Sequence, residues 1–137
     1  MELNNLDKEL INIATETVEK NKDLYGDSTF VVAAAVRAKS GKIYTGVNVR
    51  THHSICAEQV AIGNAFTQGE RELESIVAVK LENNGKSRVV SPCGLCRYTF
   101  DKLKMYNLNV IVADNKNNSI VKVNMHDLLP YPYVRYE

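Results

Sequence analysis

VVSPCGLCRYTF, residues 89–100, carries two of the three cysteines in a chain of 137 residues. Cys93 and Cys96 stand three apart behind Pro92. A lone C-x-x-C is compatible with a redox pair, half of a structural zinc site, or part of a catalytic one. The context narrows the choice. CGLCRYTFDKLKMY, 93–106, has helical spacing and opens just after a proline, which predicts a helix with both cysteines in its first turn. The third cysteine repeats the arrangement. ICAEQVAIGNAFTQG, 55–69, predicts a helix that begins around Cys56 and ends on Gly69.

Helix N-termini carry partial positive charge and unpaired N–H groups, and both favour thiolate over thiol. Three thiolates suit a borderline-soft ion such as zinc, and a three-ligand set leaves the fourth tetrahedral position open, as catalytic sites require. Glu58 follows two residues after Cys56, which puts a carboxylate beside that open position without making it a ligand. A His or Cys, a Glu two residues on, and a later P-C-x-x-C is the arrangement of zinc nucleobase deaminases. Two other readings stay open. A thioredoxin-like pair leaves Cys56 and Glu58 idle. A closed Cys3His zinc needs His52, His53 or His126 as its fourth ligand, where His52 and His53 read more simply as ordinary loop residues.

Outward from the two cysteine segments, the pattern predicts an amphipathic helix over 4–21, with Leu6, Leu10, Ile11, Ile13, Ala14 and Val18 at helical spacing. FVVAAAVRA (30–38) and IYTGVNV (43–49) read as hairpin strands around KSGK, and RTHHS (50–54) as a loop. LESIVAVKLE is a strand, RVVS a short extended piece, LNVIVAD and SIVKVN two more strands, and MHDLL one helical turn. The order α-β-β-α-β-α-β-β predicts an α/β, three-layer α/β/α fold with a mixed sheet of about five strands, in a single domain over 1–137. Charged residues make up 24% and the formal net charge is +1. With no basic run or aromatic-lined basic channel, a nucleic acid polymer is not the expected partner. The longest apolar run is too short for a bilayer, and MELNNLDKEL lacks the features of a secretory signal. No membrane contact and a cytoplasmic address are the expectation, and an odd cysteine count fits poorly with a disulfide framework.

The chain resembles the cytidine deaminase family, in its small homotetrameric branch with three zinc-binding cysteines. FVVAAAV, IYTGVNV, CAEQVAIGNAF, SPCGLCR and DLLP carry the resemblance, from about Phe30 onward. TGVNV, the short loop before CAE, and LLPYPYV look most like the blasticidin S deaminases within it. The resemblance implies one zinc per chain on Cys56, Cys93 and Cys96, with Glu58 as the proton shuttle. It implies that Phe30 is a pocket aromatic, that Asn48 bonds the sugar, that the backbone at Ala57 meets the pyrimidine edge, and that Arg97 donates to the ligand sulfurs. The LLP tail is implied to complete a neighbouring subunit's pocket, with Tyr133 as its aromatic. The implied reaction is hydrolytic deamination of a small-molecule cytosine nucleoside, cytidine or deoxycytidine, with release of ammonia. The alternative substrate is a modified cytosine nucleoside such as blasticidin S. Two departures bear on the sugar. Asn48-Val49-Arg50 stands where typical members have Asn-x-Glu, and the loop to Cys56 is shorter than theirs. Tyr98 replaces the usual glutamine after the CGxCR core. Arg50 with His52 and His53 offers positive charge to a carboxylate or phosphate, and a solvated loop is the plainer reading.

Overall fold

The structure is a computed structural model in which residues 1–134 are described. Helix α1 (Asn5–Lys20) starts at a capping box: the Asn4 side chain accepts from the Asp7 N–H, and the Asp7 carboxylate accepts from the Asn4 N–H, each at 2.9 Å. A 3-10 turn, Ser28–Phe30, precedes β1 (Val32–Ala38) and β2 (Ile43–Val47), which form the expected hairpin. Helix α2 (Ala57–Thr67) leads to β3 (Leu73–Leu81) and β4 (Ser87–Val90), and helix α3 (Gly94–Lys102) to β5 (Asn109–Asp114) and β6 (Ser119–Asn124). A final 3-10 turn spans Met125–Leu128.

The sheet runs β2-β1-β3-β5-β6, with β4 also on β3, so it has six strands where about five were expected. Only the β3–β5 pairing is parallel, at Ser75–Asn109 and Ile76–Val110, which makes the sheet mixed. The extended piece expected at RVVS is a true strand shifted by one residue, Ser87–Val90, because Ala78–Leu81 extends past the β5 pairing and leaves an edge free to pair with it.

Strand alternation builds two cores, one on each face. Ala33, Ala35, Val77, Val79 and Ile111 face Leu10, Ala14 and Val18 of α1. Ala34, Val36, Ile76, Ala78 and Val110 face Ala57, Ala61 and Ala65 of α2 and Phe100 of α3. The result is the three-layer arrangement predicted, with both cysteine-bearing helices in one layer. Alanines on both sides let α2 lie close to the sheet. Gly46 takes this furthest: a Cβ there would sit 2.5 Å from the Ala61 nitrogen and 2.9 Å from the Val60 carbonyl carbon.

Two sequence boundaries move. Phe30 was expected in the first strand but closes the 3-10 turn, because Asp27 caps that turn through the Thr29 N–H and hydroxyl at 2.9 and 2.7 Å. The helix expected to reach Tyr106 ends at Lys102, where Lys104 turns left-handed at φ 55. Within the aromatic tail, Arg135 and Tyr136 lie outside the described residues. Among the described residues, no helix is long and apolar enough to cross a membrane.

Candidate active site

Cys56 and Cys93 are the N-cap residues of α2 and α3, each with extended backbone and no side-chain capping bond. Their sulfurs are therefore free to turn away from the helix ends and toward each other. Cys96 follows in the first turn of α3. The three sulfurs lie within 4.8 Å of one another, and Cys56 Sγ is 3.5 Å from Cys93 Sγ. Tetrahedral zinc with Zn–S of about 2.3 Å separates its sulfurs by about 3.8 Å, so the trio fits the ion. Among the described residues no histidine joins this cluster, which removes the closed Cys3His alternative. His52 and His53 are exposed on their loop, and His126 stacks on Tyr106 at 5.1 Å.

Elements far apart in sequence hold the trio. The Gln59 amide donates to the Thr99 hydroxyl at 3.1 Å and ties α2 to α3 one turn inside the site. The Ser91 hydroxyl accepts from the Ala113 N–H at 3.2 Å and donates to the Ala113 carbonyl at 3.3 Å, which anchors the link before Cys93 to β5.

The metal-free thiols differ from the uniform thiolate preference expected of three helix starts. Burial pushes Cys56 up, reinforced by the Cys93 sulfur. Burial also pushes Cys96 up strongly, with the charges of Glu58 and Cys56 adding to it. Cys93 is lowered, because the Cys96 N–H and the Cys56 thiol outweigh its partial burial. Sulfurs crowded this closely need a cation before all three can ionise, and one zinc ion is the cofactor this donor set fits.

Glu58 sits in the first turn of α2 with 7% of its surface exposed. Burial holds its carboxyl above the usual range, which suits a group that must take up and release a proton. A cleft of about 230 Å3 opens over Cys56, Cys93 and Glu58, walled by Ala57, Asn48, Val32 and Val90. A larger hollow of about 640 Å3 lies elsewhere, between α1, the β1–β2 turn and the far end of α3, and holds none of these groups.

The remaining expected residues divide. Asn48 lies in the cleft wall, but its amide already accepts from the Val32 N–H at 2.9 Å and donates to the Phe30 carbonyl at 3.0 Å. One donor and one lone pair remain for a ligand. Phe30 does not line the cleft, and its ring lies beneath the Arg50 guanidinium. Tyr133 is 76% exposed; its carbonyl accepts from Lys102 at 3.4 Å, away from the cleft of its own chain. Arg97 turns to backbone carbonyls: its Nε donates to the Pro92 carbonyl at 2.8 Å and its Nη1 to the Leu128 carbonyl at 3.3 Å, so it ties the Pro92 turn to the last 3-10 turn, and among the described residues it makes no hydrogen bond to a sulfur. Backbone carbonyls that lost their partners at these bends compete for the fork, and sequence spacing does not reveal them. Tyr25 went unnoticed in the sequence. Its hydroxyl donates to the Asn48 carbonyl and accepts from the Arg50 N–H, and nothing in LYGDST signals this.

The chain is 35% identical over 136 residues to the blasticidin-S deaminase of Bacillus cereus, covering 94% of this chain and 93% of that one. It is 30% identical over 106 residues to a cytidine deaminase of Halalkalibacterium halodurans, 75% of this chain and 76% of that one. The crystal structure of cytidine deaminase from Burkholderia pseudomallei superposes with a TM-score of 0.72 at 28% identity, covering 92% of this chain and 98% of that one. Residues 4–113 match the family described as the cytidine and deoxycytidylate deaminase zinc-binding region. With three sulfurs and a buried glutamate gathered at two helix starts, the chain is a zinc-dependent hydrolase of C–N bonds and belongs to the cytidine deaminase family.

Proposed function

We propose that this enzyme hydrolyses the C4 amino group of a free cytosine nucleoside, with cytidine and deoxycytidine as its substrate class. The observation that carries this is Glu58, buried and protonatable, lining the same cleft as Cys56 and Cys93 of the cysteine trio. Cys56, Cys93 and Cys96 would hold zinc, which when bound acts as a Lewis acid and lowers the pKa of water. Glu58 takes a proton from the attacking water and passes it to ring N3. It then takes the remaining proton from the hydroxyl now on C4 and delivers it to the amino group, so the C4–N bond breaks, ammonia leaves and C4 becomes a carbonyl. The Ala57 backbone and Asn48 border the space for the ring and sugar. Arg97 supports the site by fixing the Pro92 turn ahead of Cys93.

A second reading has its own support. The similarity to a blasticidin-S deaminase spans 94% of the chain, and the cation of Arg50 lies over the Phe30 ring, two residues along the chain from Asn48 of the cleft wall. Both favour a modified cytosine nucleoside such as blasticidin S. We also infer a single-domain cytoplasmic homotetramer in which the exposed Tyr131 and Tyr133 reach a neighbouring copy. Light scattering on the eluted protein tests this, and a monomer at all concentrations overturns it.

The deciding experiment is ammonia release from cytidine, deoxycytidine and blasticidin S by the protein and by Glu58→Gln, with zinc measured on both. Turnover should fall by at least about a hundredfold in the variant while zinc stays at one per chain. Undiminished turnover in the variant, or no zinc in either protein, refutes the reading.

A further inference from the structure

The segment from Asn48 to Arg50 is fixed at every residue. Val49 pairs with Ile55 through bonds of 2.9 and 2.8 Å. The Tyr25 hydroxyl accepts from the Arg50 N–H at 3.2 Å and donates to the Asn48 carbonyl. The turn from Thr51 to Ser54 is closed by the Ser54 hydroxyl, which donates to the Thr51 carbonyl at 2.7 Å. Side chains alternate along an extended segment, so Asn48 and Arg50 share a face. Asn48 is in the cleft wall. Arg50, two residues further out, places its guanidinium carbon 3.8 Å from the centroid of the Phe30 ring.

An arginine held over an aromatic ring by its face keeps its N–H edge for a planar or tetrahedral anion. Among the described residues, the Arg50 side chain makes no hydrogen bond, and no carboxylate lies within 4.0 Å of it. Asp27, which feels the Arg50 charge, has its carboxylate turned onto the Thr29 N–H and hydroxyl. The result is a preorganised, unpaired cation on an aromatic shelf, one step beyond the cleft wall. Its ordering has been met before a ligand arrives, which is the condition for converting a rim contact into affinity.

We propose that Arg50 is a substrate-discriminating residue that selects cytosine nucleosides bearing an anion, carboxylate or phosphate, on the sugar. This rests on the deaminase reading, since it takes the base to lie over Cys56, Cys93 and Glu58. From there the sugar leads out past Asn48, and its far substituent meets the Arg50 edge in a charge-assisted, bidentate contact.

The test measures binding without turnover, in zinc-loaded Glu58→Gln protein, by calorimetry with cytidine, cytidine 5′-monophosphate and cytidine 5′-carboxylate. At least one anionic nucleoside should bind about tenfold more tightly than cytidine. Its identity assigns the anion as phosphate or carboxylate. Adding Arg50→Gln should bring the Kd ratio to near one, and Arg50→Lys should restore only part of it, since an ammonium keeps the charge but loses the planar fork. Arg50 is exposed, so thermal unfolding of the variants should match the parent. Equal binding of all three nucleosides, or a preference that survives Arg50→Gln, overturns the proposal for Arg50 alone. No binding of any of the three to zinc-loaded protein overturns the deaminase reading and this proposal with it.

Discussion

Replacing Gly46 with alanine tests how the sheet sets the position of α2, the helix with Cys56 and Glu58 at its start. A Cβ at this position meets the Ala61 nitrogen at 2.5 Å and the carbonyl carbon and Cβ of Val60 at 2.9 Å. Two of the three are backbone atoms of α2, so no rotamer change relieves the clash. Ordinary contact begins at 3.4 Å, so going from 2.5 to 3.4 Å requires α2 to withdraw from β2 by about 0.9 Å. The displaced turn is the one that carries the site: the Val60 N–H donates to the Cys56 carbonyl at 3.2 Å, and Glu58 lies between them. Overpacking of this kind costs about 1–3 kcal/mol. At about 4 °C per kcal/mol for a chain of this size, the melting temperature should fall by about 4–12 °C. A shift of nearly 1 Å in Glu58 and Cys56 relative to Cys93 and Cys96 should also lower kcat about a hundredfold. Gly63→Ala is the matched control. Nothing lies within 4 Å of a Cβ there, so it should gain about 0.5–1 kcal/mol from helix propensity and keep its activity. Calorimetric unfolding and ammonia release on both variants decide the matter. If Gly46→Ala melts with the parent and turns over at its rate, close packing of β2 against α2 does not position the site.

The buried pair of Lys122 and Asp7, 2.7 Å apart with side chains 12% and 4% exposed, should make Asp7→Ala cost about 3 kcal/mol in urea unfolding, and a cost below about 1 kcal/mol would show that the pair contributes little. Glu58 has its folded-state pKa raised by burial, so its ionisation disfavours the fold as pH rises through the range from its unfolded to its folded pKa. Metal-free Glu58→Gln should therefore be more stable than the metal-free parent at pH 7, with the difference vanishing near about pH 4, and equal stability at both pH values would refute the burial argument. Chelating the zinc should lower the melting temperature, since ion at a thousandfold excess over its Kd contributes about 4 kcal/mol, and it should expose three titratable thiols to a thiol reagent. Zinc should also leave as the pH falls and protons compete for Cys56, Cys93 and Cys96; a melting temperature indifferent to chelator would refute metal-coupled stability.

What could be read from the sequence depended on whether a feature is specified locally. The cysteine trio and Glu58 are local: each sits at a helix start signalled by Pro92 or by the onset of apolar periodicity, and bringing two helix starts together needed only the layer order. The partners of Arg97, the Tyr25 clamp and the close approach at Gly46 are products of tertiary packing, and no spacing rule carries them. The two helix ends make the difference plain, because they are built alike. At the end of α2, the Glu70 N–H bonds the Ala65 carbonyl and the Gly69 N–H the Phe66 carbonyl, both at 3.0 Å, with Gly69 at φ 91. At the end of α3, the Met105 N–H bonds the Phe100 carbonyl at 2.9 Å and the Lys104 N–H the Asp101 carbonyl at 3.0 Å, with Lys104 at φ 55. Both are Schellman closures. The first is written with glycine, whose backbone reaches positive φ without a steric penalty, and the sequence points to Gly69 as the stop, two residues past the last helical residue Thr67. The second puts lysine in the left-handed region, at a cost of about 1–2 kcal/mol. Packing offsets that cost, since the closure seats Phe100 and Met105 in the core beside α2. Helical periodicity therefore ran on to Tyr106 in the sequence, while the chain stopped four residues earlier for a reason that exists only once the core has formed.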